Sequence, residues 1–393
     1  MDGTCKRTDG AEVLLDLKIS VEKVKFNREW YPRFEADNAT VNQYRECLDR
    51  LPPILVTKDL VLVDGYHRLL AHKLEGKTEI SATIFEGDNQ LDIILESIRL
   101  NNSFGKQLST KEKRQNAVKL WKAGLVDVEK IASVLSVTIQ SARKYTEELR
   151  EEESEKRDAL ILELYLQCLS MQQIGEKLGI DPSTVDRVLQ KEKLFEMQQP
   201  EDLQYYNVWS VAKLGEDQLK YAGQTPIDII ENLVYYYTDP PRKDPLYISK
   251  VVDPMAGSGV VREVCKKLIR RYVLLDVKPL REDIPILQND VTKGFPEIAK
   301  NADLVYFDPP YYNLMKEYPA NGFNENYQSF LKSVGTSLSN ITRILKSNGK
   351  VALILKPMNE TMFEGEWLDL TFDSVEIAKK LGYTLVKRIS APL

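Results

Sequence analysis

Two loops, each following a short apolar run, constrain this chain more than anything else in it. The sharper one is Asp308-Pro309-Pro310-Tyr311, directly after the run 302–307 (ADLVYF), which predicts a buried strand. Proline donates no N–H and fixes its own φ, so the loop is stiff and leaves backbone carbonyls available. A rigid edge with one carboxylate, free carbonyls and a flat ring suits an amino group on a planar heterocycle. It offers two acceptors for the N–H bonds and a face for stacking. The same four residues would also serve as a plain strand-to-loop turn with a buried tyrosine.

The other loop, Asp253-Pro254-Met255-Ala256-Gly257-Ser258-Gly259, follows Val251-Val252 and precedes a helical stretch predicted over 260–271. A glycine-rich turn between strand and helix lets a ligand approach backbone N–H groups closely. The spacing is not G-x-G-x-x-G, and it lacks the Gly-Lys-Ser/Thr of a phosphate-binding loop. A tight strand–helix turn would explain the glycines but not the Asp-Pro before them. A third strand over 272–275 ends in Asp276, where such units hold a ribose hydroxyl. Taken alone, Asp276 also reads as a solvated strand end. Asn289-Asp290, after the run 284–287, is a fourth polar strand end.

DPMAGSG followed by DPPY resembles the amino-methyltransferases of DNA, which use S-adenosyl-L-methionine, over residues 224–393. The resemblance implies a Rossmann-like class I methyltransferase sheet. It also implies that the backbone at Asp253, Pro254, Ala256, Gly257, Ser258 and Gly259 cradles the methionine part of the cofactor. Asp276 would hold the ribose hydroxyls and Asp290 would contact the adenine. Gln224-Thr225-Pro226, before a helix expected over 227–236, resembles the segment that closes over the cofactor's carboxylate end. Asp308, Pro309, Pro310 and Tyr311 would be the catalytic residues, and Asp rather than Ser at the first position leans towards adenine. An exocyclic amine is a poor nucleophile because its lone pair is delocalised into the ring. Hydrogen bonds from it to Asp308 and the Pro309 carbonyl would pull the nitrogen towards tetrahedral geometry, while Tyr311 stacks on the base. Such a base must leave the duplex, and positioning with oriented acceptors would supply much of the rate. No metal, cysteine nucleophile or histidine base is needed.

The chain of 393 residues is long enough for two or three domains. Cys5, Cys47, Cys168 and Cys265 show no C-x-x-C spacing, and His67 and His72 are the only histidines. Neither a disulfide frame nor a metal site is expected. With no apolar run near 18 residues and no signal peptide, a cytoplasmic, nucleoid-associated protein with no membrane partner is expected. The net charge of −5 means that a DNA-binding face must be a local basic patch.

In the first half, the apolar runs 54–56 and 60–63 predict paired strands, and 80–85 another. Asp64-Gly65-Tyr66-His67-Arg68 opens a helix over 69–74, and a glycine turn with Arg in the first helical turn could hold a phosphate or be an ordinary turn. The stretch 51–102 is similar to the ParB/sulfiredoxin-like fold, whose mark is G-x-x-R-x-x-A, here Gly65 to Ala71. That implies a small α+β domain with a nucleotide at Gly65, His67 and Arg68. No cysteine stands in this turn, so sulfiredoxin-type chemistry is not expected. The segment 101–105 partly matches a further ParB-like stretch, with Phe104 in place of the usual His.

Two helix-turn-helix candidates follow. In the clearer one, 170–189, Ile174, Leu178, Ile180, Val185 and Val188 would pack together and Gly179 would make the turn. Asp181 or Ser183 would cap the second helix. Ser183, Thr184, Asp186 and Arg187 would then face DNA. The weaker copy, 128–149, has Ser136 at the turn and Gln140, Arg143 and Lys144 exposed. Either could be a plain helical hairpin. The charge-dense 147–157 reads as a solvated helix between them.

The expected organisation is therefore α/β: a ParB-like domain over 1–104, an all-α helix-turn-helix region over 105–193, a connector over 194–223 and a methyltransferase domain over 224–393. The resemblance implies one more antiparallel strand after a strand at 384–389, for which the chain leaves no room. The partners implied are double-stranded DNA and a nucleotide, with a homodimer also open. Three functions compete: DNA adenine methylation, the same chemistry on cytosine N4 or on RNA, and a non-catalytic ParB-like partition protein.

Overall fold

A computed structural model of the chain describes residues 14–33, 35–87, 89–103, 108–191, 194, 196–200, 203–204, 207–209, 225–241, 247–310, 323, 326–355, 362–363, 366–367 and 369–391. The chain divides into two compact units, Met1–Glu155 and Lys156–Leu393.

In the first unit the elements run β1 (Leu14–Ser20), α1 (Asn38–Arg45), β2 (Ile54–Thr57), β3 (Leu62–Asp64), α2 (Tyr66–Leu74), β4 (Glu79–Phe85), α3 (Gln90–Ser103), α4 (Thr110–Lys122), α5 (Val128–Leu135) and α6 (Ile139–Tyr145). The sheet has the order β1-β4-β2-β3. β2 and β3 pair antiparallel as their sequence predicts, whereas β2 and β4 run parallel with α2 as the crossover. Ile54, Val56, Leu62, Leu69, Ile80 and Ala82 fill the core under this sheet. A second core joins α3 to α6 through Ile98, Leu120, Ile131, Leu135 and Ala142. Helix α7 (Glu147–Leu166) starts in this unit and ends in the next.

The second unit holds α8 (Met171–Leu178), α9 (Pro182–Leu189), α10 (Ile227–Tyr237), β5 (Lys250–Asp253), α11 (Val260–Lys267), β6 (Arg271–Asp276), β7 (Ile286–Gln288), β8 (Ala302–Phe307), α12 (Tyr327–Thr342), β9 (Leu345–Leu353) and α13 (Leu370–Lys380). Five strands form a sheet in the order β7-β6-β5-β8-β9, and every neighbouring pair is parallel. Strand order therefore reverses between β5 and β8. In an open parallel sheet a crevice forms at such a switch point, beyond the carboxyl ends of the strands.

Successive side chains of a strand point to opposite faces, and both faces here are apolar. Val251, Tyr272, Leu274, Leu304 and Tyr306 share one core with α10 and α11. Val252, Val273, Leu275, Val305 and Phe307 share the other with α12. A sheet covered on both sides reads as continuous apolar runs, which is why β5, β6 and β8 were predictable from sequence.

Three differences from the sequence reading have physical causes. The helix expected over 260–271 stops at Lys267, because Ile269 takes a left-handed φ of 53° and Arg271 enters β6. The strand expected over 384–389 does not form; Leu385 and Val386 stand exposed, and among the described residues no strand lies beside them, with Ser390 alone bridging to Val208. Packing also divides the helical region. α5 and α6 belong to the first unit, while Val185, Val188 and Leu189 of α9 are buried in the same core as Val251 and Tyr272. Connector residue Trp209 is buried there as well, its backbone N–H bonded to the Ser390 carbonyl at 2.8 Å.

Candidate functional site

The carboxyl ends of β5, β6 and β8 place Asp253, Asp276 and Asp308 together at the switch point. Asp253 is 2 % exposed, and its Oδ1 accepts the Met255 N–H at 3.1 Å, which turns the chain into the glycine loop. Burial pushes its carboxyl well above the usual carboxylate range. The Met255 bond opposes that rise, and the charges of Asp308 and Asp276 add to it. Asp276 is raised too, chiefly by burial, against bonds from the Lys278 and Gly257 N–H groups. Those two bonds are 2.9 Å each and use one carboxylate oxygen apiece. Asp276 thus braces the glycine loop as well as lining the crevice.

The loop itself needs glycine at its last position. Gly259 has φ +79° and caps α11, and a Cβ there would meet Ile284 Cδ1 at 2.2 Å. At Gly257 a Cβ would meet nothing nearer than the Met255 carbonyl at 4.0 Å, so one side of the loop is open. Pro254, Ala256 and Ser258 complete it. The Ala256 N–H is bonded to the Leu275 carbonyl, which ties the loop to β6. Asp290 lies after β7, the edge strand. Its Oδ1 accepts from the Thr292 N–H and hydroxyl, and Lys293 pairs with Oδ2. Burial works against ionisation there, but the Thr292 bonds and Lys293 outweigh it and hold the carboxyl below its usual range.

Asp308 is braced from two directions. Thr225 Oγ1 donates to Asp308 Oδ2 at 2.6 Å, and the Tyr306 hydroxyl donates to the same oxygen at 3.1 Å. Pro309 is buried and Pro310 partly so. Pro226 stands just ahead of α10. Gln224 and Tyr311 lie outside the described residues. Sequence reasoning missed Tyr306. It read only as one more apolar residue of the strand, although a tyrosine two positions before the Asp shares its face.

In the first unit, Gly65 takes φ +104° at the start of α2. Arg68 Nη2 donates to Asp64 Oδ2 at 2.6 Å, and His67 Nε2 accepts the Asp37 N–H at 2.9 Å. Burial, and then the charge of Arg33, hold His67 below its usual value. Asn101 accepts from Arg33 Nε at 2.8 Å, and its amide reaches Asp64. Asn101 and the Gly65 turn, far apart in sequence, therefore meet at one cluster, while Phe104 and Gly105 lie outside the described residues.

The two helix pairs differ. α5 and α6 turn through Ser136 at φ 50°, and Gln140, Arg143 and Lys144 are exposed on α6. α8 and α9 turn through Gly179, and Asp181 caps α9. Of its expected DNA-facing residues, Ser183 and Arg187 are exposed and Thr184 and Asp186 half-buried, with Asp186 Oδ2 taken by Gln190 at 3.0 Å. α6 thus presents a basic face and α9 a mixed one. Among the described residues, no group of His, Cys, Asp and Glu is arranged to hold a metal ion. No helix among them is long and apolar enough to cross a membrane.

No protein-family model matches the chain, and no curated protein matches it. Some solved structures are similar over part of it. One, the C2221 form of a Pnob8-like ParB-N domain, is 22 % identical with a TM-score of 0.23 over 36 % of this chain. The chain covers 54 % of that structure's length, about half. C-terminally truncated ParB from Caulobacter crescentus complexed with CTP-gamma-S is 20 % identical, with a TM-score of 0.21 over 33 % of this chain and 76 % of that one. The same protein complexed to the centromeric parS site is 14 % identical, with a TM-score of 0.25 over 44 % and 97 %.

Proposed function

We propose that the second unit is an S-adenosylmethionine-dependent amino-methyltransferase acting on a flipped-out base of duplex DNA, most of all on adenine N6. The observation that carries this reading is the meeting of Asp253, Asp276 and Asp308 around an open glycine loop at the switch point of a parallel sheet. Three carboxyl groups at one crevice suit a cationic ligand and repel an anionic one. The cofactor, when bound, supplies a methyl on a sulfonium that leaves as a neutral thioether while the amine gives up a proton to water. Loop residues 253–259 would hold its methionine end and Asp276 its ribose. Asp308 and the Pro309 carbonyl would accept the N–H bonds of the base and localise the nitrogen lone pair. The α5–α6 helix pair, with Gln140, Arg143 and Lys144 exposed on α6, supports duplex DNA over RNA or a free base.

The first unit reads as ParB-like, with the Gly65 turn and Arg68 set to hold nucleotide phosphates. The observation behind this is that Arg33, His67, Arg68 and Asn101 converge beside a left-handed glycine at a helix start.

The deciding experiment measures label transferred from methyl-labelled cofactor to duplex DNA, to RNA and to no acceptor. Incorporation into duplex adenine is expected. Incorporation into cytosine or RNA would move the target, and no incorporation into anything would overturn the reading. Deleting 105–193 is a poor test of DNA binding, since it would cut α9 out of the core of the second unit. Arg143→Ala with Lys144→Ala is better. It should weaken duplex binding and flatten its salt dependence by roughly one phosphate contact per residue.

A further inference from the structure

The Asp308 carboxylate would have to present an acceptor in one plane to an incoming amine. A carboxylate at a loop beginning rotates freely unless something holds it. Two hydroxyls do so here, from elements far apart in the chain: Tyr306 from β8 and Thr225 from the residues just ahead of α10. Both residues are buried, at 3 % and 8 % exposure, and both hydroxyls donate to the same oxygen, Oδ2. Bonds to an ionised acceptor are the stronger kind, and two on one oxygen leave the group little freedom to turn.

The placement has a structural cause. Tyr306 lies on the face of β8 that packs against α10, with Ile229, Ile230, Leu233 and Val234 in the same core. That packing sets the start of α10 beside the end of β8. A phenylalanine would fill the apolar part of the Tyr306 position equally well. The hydroxyl is therefore the part that needs a reason. Burial, with the Asp308 charge next, pushes the phenol well above its ordinary value, so it stays a proton donor.

We propose that Tyr306 and Thr225 are positioning residues of the transfer site, clamping Asp308 through Oδ2 so that the carboxylate meets the target amine in one fixed plane. The proposal rests on the methyltransferase reading above. It extends that reading to two residues that carry no transferred atom. Because Thr225 belongs to the segment expected to close over the cofactor, the clamp also joins the cofactor side of the crevice to its base side.

The test uses the full chain with Tyr306→Phe, Thr225→Val and Thr225→Ser. Transfer rates at saturating cofactor and DNA are measured beside equilibrium binding of S-adenosylhomocysteine and melting temperature. Loss of one bond to a charged group predicts a fall in kcat of roughly tenfold or more for Tyr306→Phe. Its S-adenosylhomocysteine affinity should stay within about twofold, since the phenol donates its bond to the Asp308 carboxylate. Thr225→Val should lose kcat similarly, and Thr225→Ser should recover most of that loss. A Tyr306→Phe enzyme with wild-type kcat overturns the clamp. So does one whose kcat falls only in step with product binding and melting temperature, which would mark a structural role. A wild-type chain that transfers no methyl to any acceptor overturns the underlying reading, and the clamp's role with it.

Discussion

Both units contain a strand that runs into a left-handed glycine at the start of a helix, yet basic side chains surround one turn and acidic ones the other. Gly65 at φ +104° has Arg33, His67 and Arg68 around it, with Asp64 as the counter-charge. Gly259 at φ +79° ends a loop ringed by Asp253, Asp276 and Asp308. The backbone device is the same: a left-handed glycine at a helix start, where an added Cβ would clash. What differs is the side chains, so ligand choice in this protein is a property of charge placed on a shared geometry. A cationic turn suits phosphates and an anionic one suits a sulfonium with its ammonium.

The largest effect should come from the anionic site. Asp308→Ala is expected to cut methyl transfer by about 100-fold or more while cofactor binding persists; wild-type activity would sink the mechanism. Next, Arg68→Ala should weaken binding of a nucleoside triphosphate by roughly tenfold or more, with S-adenosylmethionine affinity unchanged. Isothermal titration with both ligands checks this, and a parallel loss of both would break the contrast. If the backbone device is common, Gly65→Ala and Gly259→Ala should each cost about 1–3 kcal/mol in denaturant melts. The built Cβ meets Ile54 at 2.6 Å in one and Ile284 at 2.2 Å in the other.

The smallest effect concerns charge alone. Asp253 has a raised carboxyl in the folded chain, so its stabilising contribution is full below the unfolded value near pH 4. That contribution is lost as pH rises through the folded value. Asn in its place does not titrate. The melting temperature of Asp253→Asn should therefore gain on wild type as pH rises from about 5 to 8, by an amount worth about 1 kcal/mol. A variant that does not gain on wild type over this range would mean that the site does not resist negative charge.

How much of this was legible in the sequence depends on how local each feature is. β8 has the bounds its apolar run predicted, because a strand covered on both faces writes itself as one uninterrupted run. The three strand-end acids were legible for the same reason, as polar breaks in such runs. The Thr225–Asp308 bond was not, since it joins residues 83 apart through the packing of α10 on β8. The helix pairs mark a different limit. The α8–α9 pattern is clear because its apolar residues are well spaced, but spacing cannot say that those residues share a core with the parallel sheet. Nor could the pattern at 384–389 say that no strand would stand beside it; a period of two needs a partner to become a strand.

The switch in strand order between β5 and β8 also sets a schedule for the chain as it is made. β5 pairs with β6 on one side as soon as both exist, but its other edge waits for β8, about 50 residues later. At synthesis rates of roughly 5–20 residues per second, that edge stands open for several seconds. Val251 and Val252 lie along it, and an unpaired apolar edge invites pairing with the wrong chain. The crevice between these strands, where the chemistry is proposed, is among the last parts of the sheet to come into being. An expression host that slows translation between residues 253 and 302 should lengthen that exposure and raise the aggregated fraction.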